Sequence, residues 1–210
     1  MSLQLIDTHS HIYDPQFDAD RDEAVARARA AGVGRILLPA VDAESYGAMF
    51  ALARQYPELC RPMMGLHPTS VNDNPRYRDD LERVARLLEV PPDGIRFCGV
   101  GEVGLDLYWS RDFADEQLEA LRFQIELALR YGLPLVIHTR DAWDEMCGVL
   151  EEYRGQGMGK KLFKMALSCL DINCIRDRKL CVTYGNEAAL RLYESFGFYP
   201  FTIDCLQKRS

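Results

Sequence analysis

The chain has 210 residues, a length that allows one ordinary domain or slightly more. Its 48% hydrophobic and 27% charged residues are typical of a soluble globular protein, and no apolar run is long enough to span a membrane. The net charge of −7 excludes a broad basic surface for nucleic acid, although a bound cation can supply positive charge locally. Seven scattered cysteines without a C-x-x-C pair, and an N-terminus unlike a signal peptide, indicate a cytoplasmic protein with reduced thiols.

The first 153 residues alternate between strand and helix patterns. Strands are predicted at 3–7 and 34–41, a strand with a turn at 60–68, and a strand with a loop at 96–106 and at 133–140. Helices are predicted to follow them at 19–31, 43–56, 76–89, 115–131 and 141–153. Five β/α units in succession predict a parallel sheet, and their unbroken order favours a barrel over an open sheet. The predicted fold class is therefore α/β, with a partial TIM-like (β/α) barrel of about five units.

Histidines gather near the ends of the predicted strands: His9, His11, His67 and His138. In a β/α barrel the C-terminal strand ends share one face, where catalytic groups collect. His9 and His11 are two residues apart on extended chain, so both imidazoles point to the same side, and Asp7 shares their parity. Glu102 ends the fourth strand. A carboxylate between imidazoles can bridge two divalent cations, which generate hydroxide and stabilise an in-line phosphoryl displacement.

Each of these motifs alone has a structural alternative. The H-x-H pair is often incidental, His67 before Pro68 is also typical of a capped turn, and Glu102 could be solvated. The joint pattern is much stronger, because four histidines and a glutamate on successive strand ends are improbable as background. The sequence therefore predicts a metal centre at this face.

Residues 1–153 resemble the TatD-type family of metal-dependent deoxyribonucleases, within the amidohydrolase-like barrels. The matching motifs are "DTHSHIYD", "GLHP", "GEVGLDLYW" and "LPLVIHTRDA". The resemblance implies a (β/α) barrel that hydrolyses phosphodiester bonds of DNA with one or two divalent ions, of which Mg, Mn and Zn suit this donor set. It implies that His9 and His11 bind the first metal and His138 the second. Glu102 would bridge the metals as a catalytic residue, and His67 would face the substrate.

The same resemblance shows a deficit in the later motifs. The family continues with a histidine from an "H-x-F-S-G"-like stretch and an aspartate from an "E-T-D"-like stretch, and neither occurs after His138. A whole barrel of this kind has about 250 residues and eight units. We therefore expect an impaired activity, open sheet edges, and self-association through those edges.

The last third has a different pattern. Helices are predicted at 157–170 and 186–198 and strands at 179–185 and 199–206, with Asn186 as an N-cap and Gly197 as a helix end. The loop "RGQGMG" fits R-x-x-G-x-G, in which glycines let backbone N–H groups approach a pyrophosphate. It is not a Walker P-loop, and a glycine-rich helix start without a ligand is the structural alternative.

Residues 154–206 resemble the C-terminal half of the GNAT acyltransferase superfamily, through "RGQGMGKKLFKMAL" and "VTYGNEAALRLYESFGFYPF". The resemblance implies acetyl-CoA as a cofactor, with Arg154, Gly157 and Gly159 at its pyrophosphate and Asn186 near the pantetheine arm. Tyr193 would take the place of a thiolate-protonating tyrosine, or it is a core aromatic residue. The superfamily's N-terminal half is absent.

The predicted organisation is thus a hydrolase region, 1–153, fused to an acetyltransferase-like fragment, 154–210. Three functions stay open: a metal-dependent DNase, an acetyl-CoA-dependent N-acetyltransferase, or a chimera without catalytic activity. Metal binding without DNA cleavage would favour the third, and stabilisation by acetyl-CoA would favour the second.

Overall fold

The structure is a computed structural model that describes residues 5–153 and 187–199. The chain divides into two compact units, Met1–Glu152 and Tyr153–Ser210. The predicted helix at 157–170 and strand at 179–185 lie outside the described residues, as does all but the first residue of the predicted strand at 199–206.

The first unit alternates strand and helix, as predicted. Its strands are β1 (Leu5–Asp7), β2 (Val33–Leu38), β3 (Cys60–Pro62), β4 (Val100–Asp106) and β5 (Leu135–Arg140). Its α-helices are α1 (Arg21–Ala30), α2 (Tyr46–Gln55), α3 (Tyr77–Glu89), α4 (Ala114–Tyr131) and α5 (Trp143–Glu152). Two short 3-10 helices, Pro15–Phe17 and Pro68–Ser70, carried no predicted element. Over 60–68, predicted as a strand with a turn, the strand ends at Pro62 and Met64 forms one further parallel bridge.

All strand pairs in the described part of the first unit are parallel, as predicted. One sheet has the order β1-β2-β3 and a second pairs β4 with β5. A parallel bridge between Met64 and Val100 connects the two, so the five strands follow one another in chain order. Within residues 5–153, β1 and β5 each pair along one edge only. The β/α succession of the prediction is confirmed for these five units.

Strand β4 lies at the centre of the core. All seven of its residues are buried, including Glu102 and Asp106. Strand β1 is instead exposed along its length, with Leu5 46% and Ile6 57% exposed. A strand buried on both faces is typical of a parallel sheet covered by helices, and burial makes its carboxylates depend on protein partners.

Glycine at position 104 allows β4 and β5 to approach each other closely. Gly104 has a φ of 154°, and a Cβ built on it would lie 1.9 Å from the carbonyl oxygen of His138. Only glycine fits this backbone contact. The contact holds the His138 segment against the strand that carries Glu102.

Two buried glutamines attach α4 to the strand ends. Gln124 accepts from the Leu66 N–H at 2.7 Å and donates to the Leu66 carbonyl at 3.1 Å. Gln117 forms the same kind of pair with Asp106, at 2.8 and 2.9 Å. Both side chains are almost fully buried. Their hydrogen bonds therefore hold the backbone in place just before His67 and at the end of β4.

The described part of the second unit contains one helix, α6 (Glu187–Glu194). Gly197 has a φ of 85° and its N–H donates to the Glu194 carbonyl, while the Phe198 N–H donates to that of Tyr193. These two bonds form a Schellman ending, so the predicted helix end at Gly197 is confirmed. The N-cap prediction at Asn186 falls outside the described residues. Within the described ranges, no helix has the length and apolarity needed to cross a membrane.

Candidate metal centre

The structure brings all four histidines together around Glu102. Its Oε2 atom lies 3.1 Å from His9 Nε2, 3.7 Å from His11 Nε2 and 4.0 Å from His67 Nε2. Its Oε1 atom lies 3.0 Å from His138 Nδ1. Four imidazole rings, from the segments after β1 and β3 and from β5, thus meet at one carboxylate of β4. Glu102 and His138 lie within β4 and β5 rather than at the strand ends predicted for them.

Two sets of donor atoms share that carboxylate. One set is His9, His11 and Glu102, and the other is His67, Glu102 and His138, each with donor atoms within 4.8 Å of one another. Donors that share a cation at about 2.1 Å lie about 3 Å apart, which is the spacing seen between His9 and His11, at 3.1 Å. Imidazole nitrogens and one carboxylate therefore fit one or two divalent cations. The structure does not bring Asp7 into either set; its Oδ1 accepts from the backbone N–H of His9.

Tyr13 fixes the proton on the His11 ring. The Tyr13 hydroxyl donates its single proton to the Pro39 carbonyl at 2.5 Å. Its oxygen lies 2.9 Å from His11 Nδ1, so it accepts from an Nδ1–H. Burial raises the pKa of Tyr13 well above its ordinary value, which keeps this hydroxyl protonated. His11 Nε2 is thereby left unprotonated, with its lone pair facing His9 Nε2 at 3.1 Å and Glu102 Oε2 at 3.7 Å.

Asp106 does the same for His138 from the opposite side of the ring. His138 Nε2 donates to Asp106 Oδ2 at 2.9 Å, which leaves Nδ1 to face Glu102. Asp106 is 1% exposed and its backbone is held by Gln117. The Glu102 hydrogen bond raises the pKa of His138, and the Asp106 bond adds to this, whereas burial opposes it. A carboxylate behind a histidine ligand orients the ring and increases its basicity.

His67 has a different hydrogen-bond pattern. Its Nδ1 accepts from the Thr69 backbone N–H at 3.2 Å and lies 2.7 Å from the Thr69 hydroxyl. Burial lowers the pKa of His67 to about 4, despite the attraction of Glu102, so the ring is neutral at neutral pH. With Nδ1 accepting, the proton of this neutral ring lies on Nε2, which points towards the centre. His67 is thus arranged as a hydrogen-bond donor.

Glu102 stays ionised in these surroundings. Burial acts to raise the pKa of Glu102, but the four histidine rings around this carboxylate, foremost those of His11 and His138, outweigh burial and hold its pKa well below the ordinary value. Among the described residues no buried side-chain nitrogen or oxygen lacks a hydrogen-bond partner. A shared, ionised carboxylate is the chemistry that a bridging ligand requires.

Three supporting residues had no predicted role. Tyr13 and Asp106 lie inside the motifs "DTHSHIYD" and "GEVGLDLYW", and Gln117 lies on the buried face of α4. The available signals were a tyrosine two residues after an H-x-H pair and a glutamine among apolar helix positions. Neither signal could be interpreted from the sequence, because its meaning depends on which strands are neighbours in the fold.

The predicted acetyl-CoA residues are only partly described. Arg154, Gly157, Gly159 and Asn186 lie outside the described residues. Tyr193 is half-buried in α6, with its ring centroid 6.3 Å from that of Phe198.

Known proteins are similar in sequence to a large part of this chain. A family model described as TatD related DNase matches residues 6–169. The uncharacterized metal-dependent hydrolase YjjV of Escherichia coli K12 is 36% identical over 154 residues, which cover 73% of this chain and 57% of YjjV. The 3′-5′ ssDNA/RNA exonuclease TatD of Cronobacter sakazakii is 36% identical over 151 residues, or 71% of this chain and 54% of that enzyme.

The solved structure of E. coli YjjV has the same fold as the matched part of this chain. It has a TM-score of 0.62 and 35% identity, and the match covers 71% of this chain and 56% of YjjV. The chain thus spans about half the length of the curated relatives it matches.

Proposed function

The chain belongs to the TatD-related DNase family, and we propose that it is a metal-dependent hydrolase of phosphodiester bonds in DNA. The observation that carries the proposal is the single ionised carboxylate of Glu102 shared by two sets of histidines. Relatives such as the C. sakazakii enzyme are named ssDNA/RNA exonucleases, which supports a single-stranded nucleic acid as the substrate.

In this proposal His9, His11 and Glu102 hold a first divalent cation, and Glu102 and His138 hold a second. Divalent cations at such a site supply Lewis-acid polarisation of a phosphoryl oxygen and a more acidic water. Mg, Mn and Zn all suit a mixed imidazole and carboxylate donor set.

The chain's own groups then have distinct tasks. The hydroxyl of Tyr13 and the carboxylate of Asp106 hold two ligand rings in the tautomers that leave a lone pair inward. The Nε2–H of His67 is placed to donate to a phosphoryl oxygen of the substrate and to stabilise charge that develops there. Its neutral state at physiological pH lets it do so without repelling a cation.

The first experiment measures metal content by elemental analysis beside cleavage of single-stranded DNA. Wild type is compared with a His9→Ala/His11→Ala double variant. The proposal expects near-stoichiometric metal and cleavage in the wild type, and loss of both in the variant. Cleavage that persists in metal-free variant protein would refute it.

We also infer that residues 154–206 include an acetyl-CoA-binding fragment of the GNAT kind. What supports this is the resemblance of "RGQGMGKKLFKMAL" and "VTYGNEAALRLYESFGFYPF" to the C-terminal half of that superfamily. Acetyl-CoA should then raise the melting temperature of wild type but not of an Arg154→Ala variant. An equal shift in both proteins, or none, would remove this candidate.

We also propose that the chain self-associates through exposed sheet edges. Strand β1 is exposed and pairs only with β2 within residues 5–153. An exposed edge strand can pair with another chain. Light scattering coupled to gel filtration should show a mass that rises with concentration, and a constant monomer mass would contradict this.

A further inference from the structure

Both tryptophans of the chain are exposed at the same end of the sheet as the metal centre. Trp109 follows β4 and is 69% exposed, and Trp143 follows β5 and is 71% exposed. Tyr108, beside Trp109, is 51% exposed. Exposing large aromatic side chains to water is energetically unfavourable. Several of them at one end of the sheet indicate a binding surface there.

Tyr108 and Trp109 form a compact cluster with Arg140. The Arg140 guanidinium carbon lies 3.7 Å from the Tyr108 ring centroid and 5.4 Å from that of Trp109. The two rings contact each other edge to face, with centroids 4.9 Å apart. Cation–π contacts hold the long arginine side chain in one place without neutralising its charge. We call Tyr108, Trp109 and Arg140 the aromatic cluster.

Hydrogen bonds attach the aromatic cluster to the metal centre. The Tyr108 N–H donates to Asp106 Oδ1 at 3.2 Å, and the other oxygen of that carboxylate receives the His138 bond. The Leu107 N–H donates to the Arg140 carbonyl at 2.9 Å. The buried carboxylate of Asp106 therefore holds both a predicted metal ligand, His138, and the start of the aromatic cluster at Tyr108.

The charge on the aromatic cluster is available to a ligand. Among the described residues Arg140 contacts aromatic rings and has no carboxylate within ion-pair distance, whereas Arg111 pairs with Glu145. On a chain with a net charge of −7, an unneutralised arginine on two exposed rings is a local site for an anion that carries a flat ring. A nucleotide within a single strand has both features.

We propose that the aromatic cluster is the base-binding subsite of the proposed nuclease: a nucleobase of single-stranded DNA stacks on Trp109 while Arg140 contacts the adjoining phosphate. This inference rests on the proposed function for its substrate class. Stacking is tolerant of base identity, because every base presents a π-face, so the subsite selects unpaired strands rather than sequences. A paired base is already stacked and cannot lie on Trp109.

The two-tryptophan composition allows a direct test of the stacking contact. A Trp143→Phe variant leaves Trp109 as the only tryptophan, and a Trp109→Phe variant leaves Trp143. Each is titrated with a short oligothymidylate in EDTA, which blocks hydrolysis, and with an abasic sugar–phosphate strand of the same length. Emission from Trp109 should fall saturably with oligothymidylate, and the abasic strand, which has the same charge, should have little effect.

Affinity variants separate stacking from general packing. Trp109→Ala should weaken oligothymidylate binding by about fivefold or more, and Trp109→Phe should restore most of it. Equal responses to the abasic strand, unchanged affinity in Trp109→Ala, or quenching of Trp143 alone would each overturn the proposal. Cleavage with added Mn²⁺ is measured separately on the Trp143→Phe variant. Quenching without cleavage would contradict the proposed nuclease function but support the base-binding subsite. Cleavage without quenching would contradict the subsite alone.

Discussion

Asp106 Oδ2 accepts a hydrogen bond from His138 Nε2 at 2.9 Å, and the same ring presents its Nδ1 to Glu102 at 3.0 Å. The aspartate therefore decides which nitrogen of His138 is free to act as a ligand. It does so from a buried position that is itself held by Gln117.

Replacing Asp106 by Asn should weaken metal binding without removing a ligand. The amide can no longer accept a charge-assisted bond and stabilise the required tautomer, so metal affinity should fall by about 10–100-fold. Isothermal titration of the metal-free protein with Zn²⁺ measures this. Asp112→Asn, a change at an exposed aspartate just after the aromatic cluster, is the matched control, and equal affinities in the two variants would contradict the role of Asp106.

A Tyr13→Phe variant should show two separable effects. The variant loses two hydrogen bonds: the one that the Tyr13 hydroxyl donates to the Pro39 carbonyl, and the one that it accepts from His11 Nδ1–H. The unpaired buried groups should lower the free energy of unfolding by about 1–3 kcal/mol, and metal affinity should fall by about tenfold. Urea denaturation and metal titration measure the two effects. Tyr56→Phe removes a hydroxyl bonded to exposed Asp22 and should leave metal affinity unchanged.

Gln124→Leu keeps the side-chain size but leaves the Leu66 N–H and carbonyl without their partner. Because Gln124 is 1% exposed, no water replaces the lost bonds, and the free energy of unfolding should fall by about 2–3 kcal/mol. The change should appear as a lower urea midpoint with an unaltered slope. The same replacement at exposed Gln55 should cost little. Similar midpoints for both variants would show that α4 does not depend on this pair.

The stability of metal-free protein should depend on pH through His67. Its pKa in the folded state is lowered from 6.5 to about 4, so between these values the unfolded chain binds a proton that the folded chain does not. Stability is therefore lost as pH falls from about 6.5 towards 4, by roughly 3 kcal/mol relative to a His67→Gln variant. Groups present in both proteins largely cancel in the difference.

This difference is measured by urea denaturation in EDTA across that pH range. Above pH 7 the gap between wild type and His67→Gln should be flat, because His67 is neutral in both states. A gap that keeps changing above pH 7, or none between pH 6.5 and 4, would show that burial does not control this histidine.

Much of the first unit could be predicted from sequence because its signals are local. Apolar runs, helical spacing and closing glycines such as Gly132, which has a φ of 65°, indicated each β/α unit. The four histidines and Glu102 were predicted to meet because the C-terminal strand ends of a parallel fold share one face, although Glu102 and His138 lie within β4 and β5. The ring protons of these histidines could not be predicted, since they depend on partners such as Tyr13 and Asp106 that become neighbours only after folding.

The end of the third strand shows the other limit, since a strand with a turn was predicted at 60–68 but not the residue at which the strand ends. The run "CRPMMGLHP" has the composition of a strand, but pairing stops at Pro62 apart from the bridge at Met64. Position 65 shows why the chain is so closely confined there, since a Cβ on Gly65 would lie 3.0 Å from the Gly101 carbonyl carbon. Tertiary packing, which leaves no periodic trace, determines where this strand ends.

Gly104 carries no functional group, yet its place in the sheet should make it as intolerant of change as the proposed metal ligands. Any side chain there would collide with the His138 backbone and push apart the two strands that supply Glu102 and His138. In a saturation mutagenesis screen scored by activity, position 104 should therefore fall in the same intolerant class as those two residues. Its variants would lose activity because the distance between intact ligands has changed, and no compensating substitution at a ligand position would recover it.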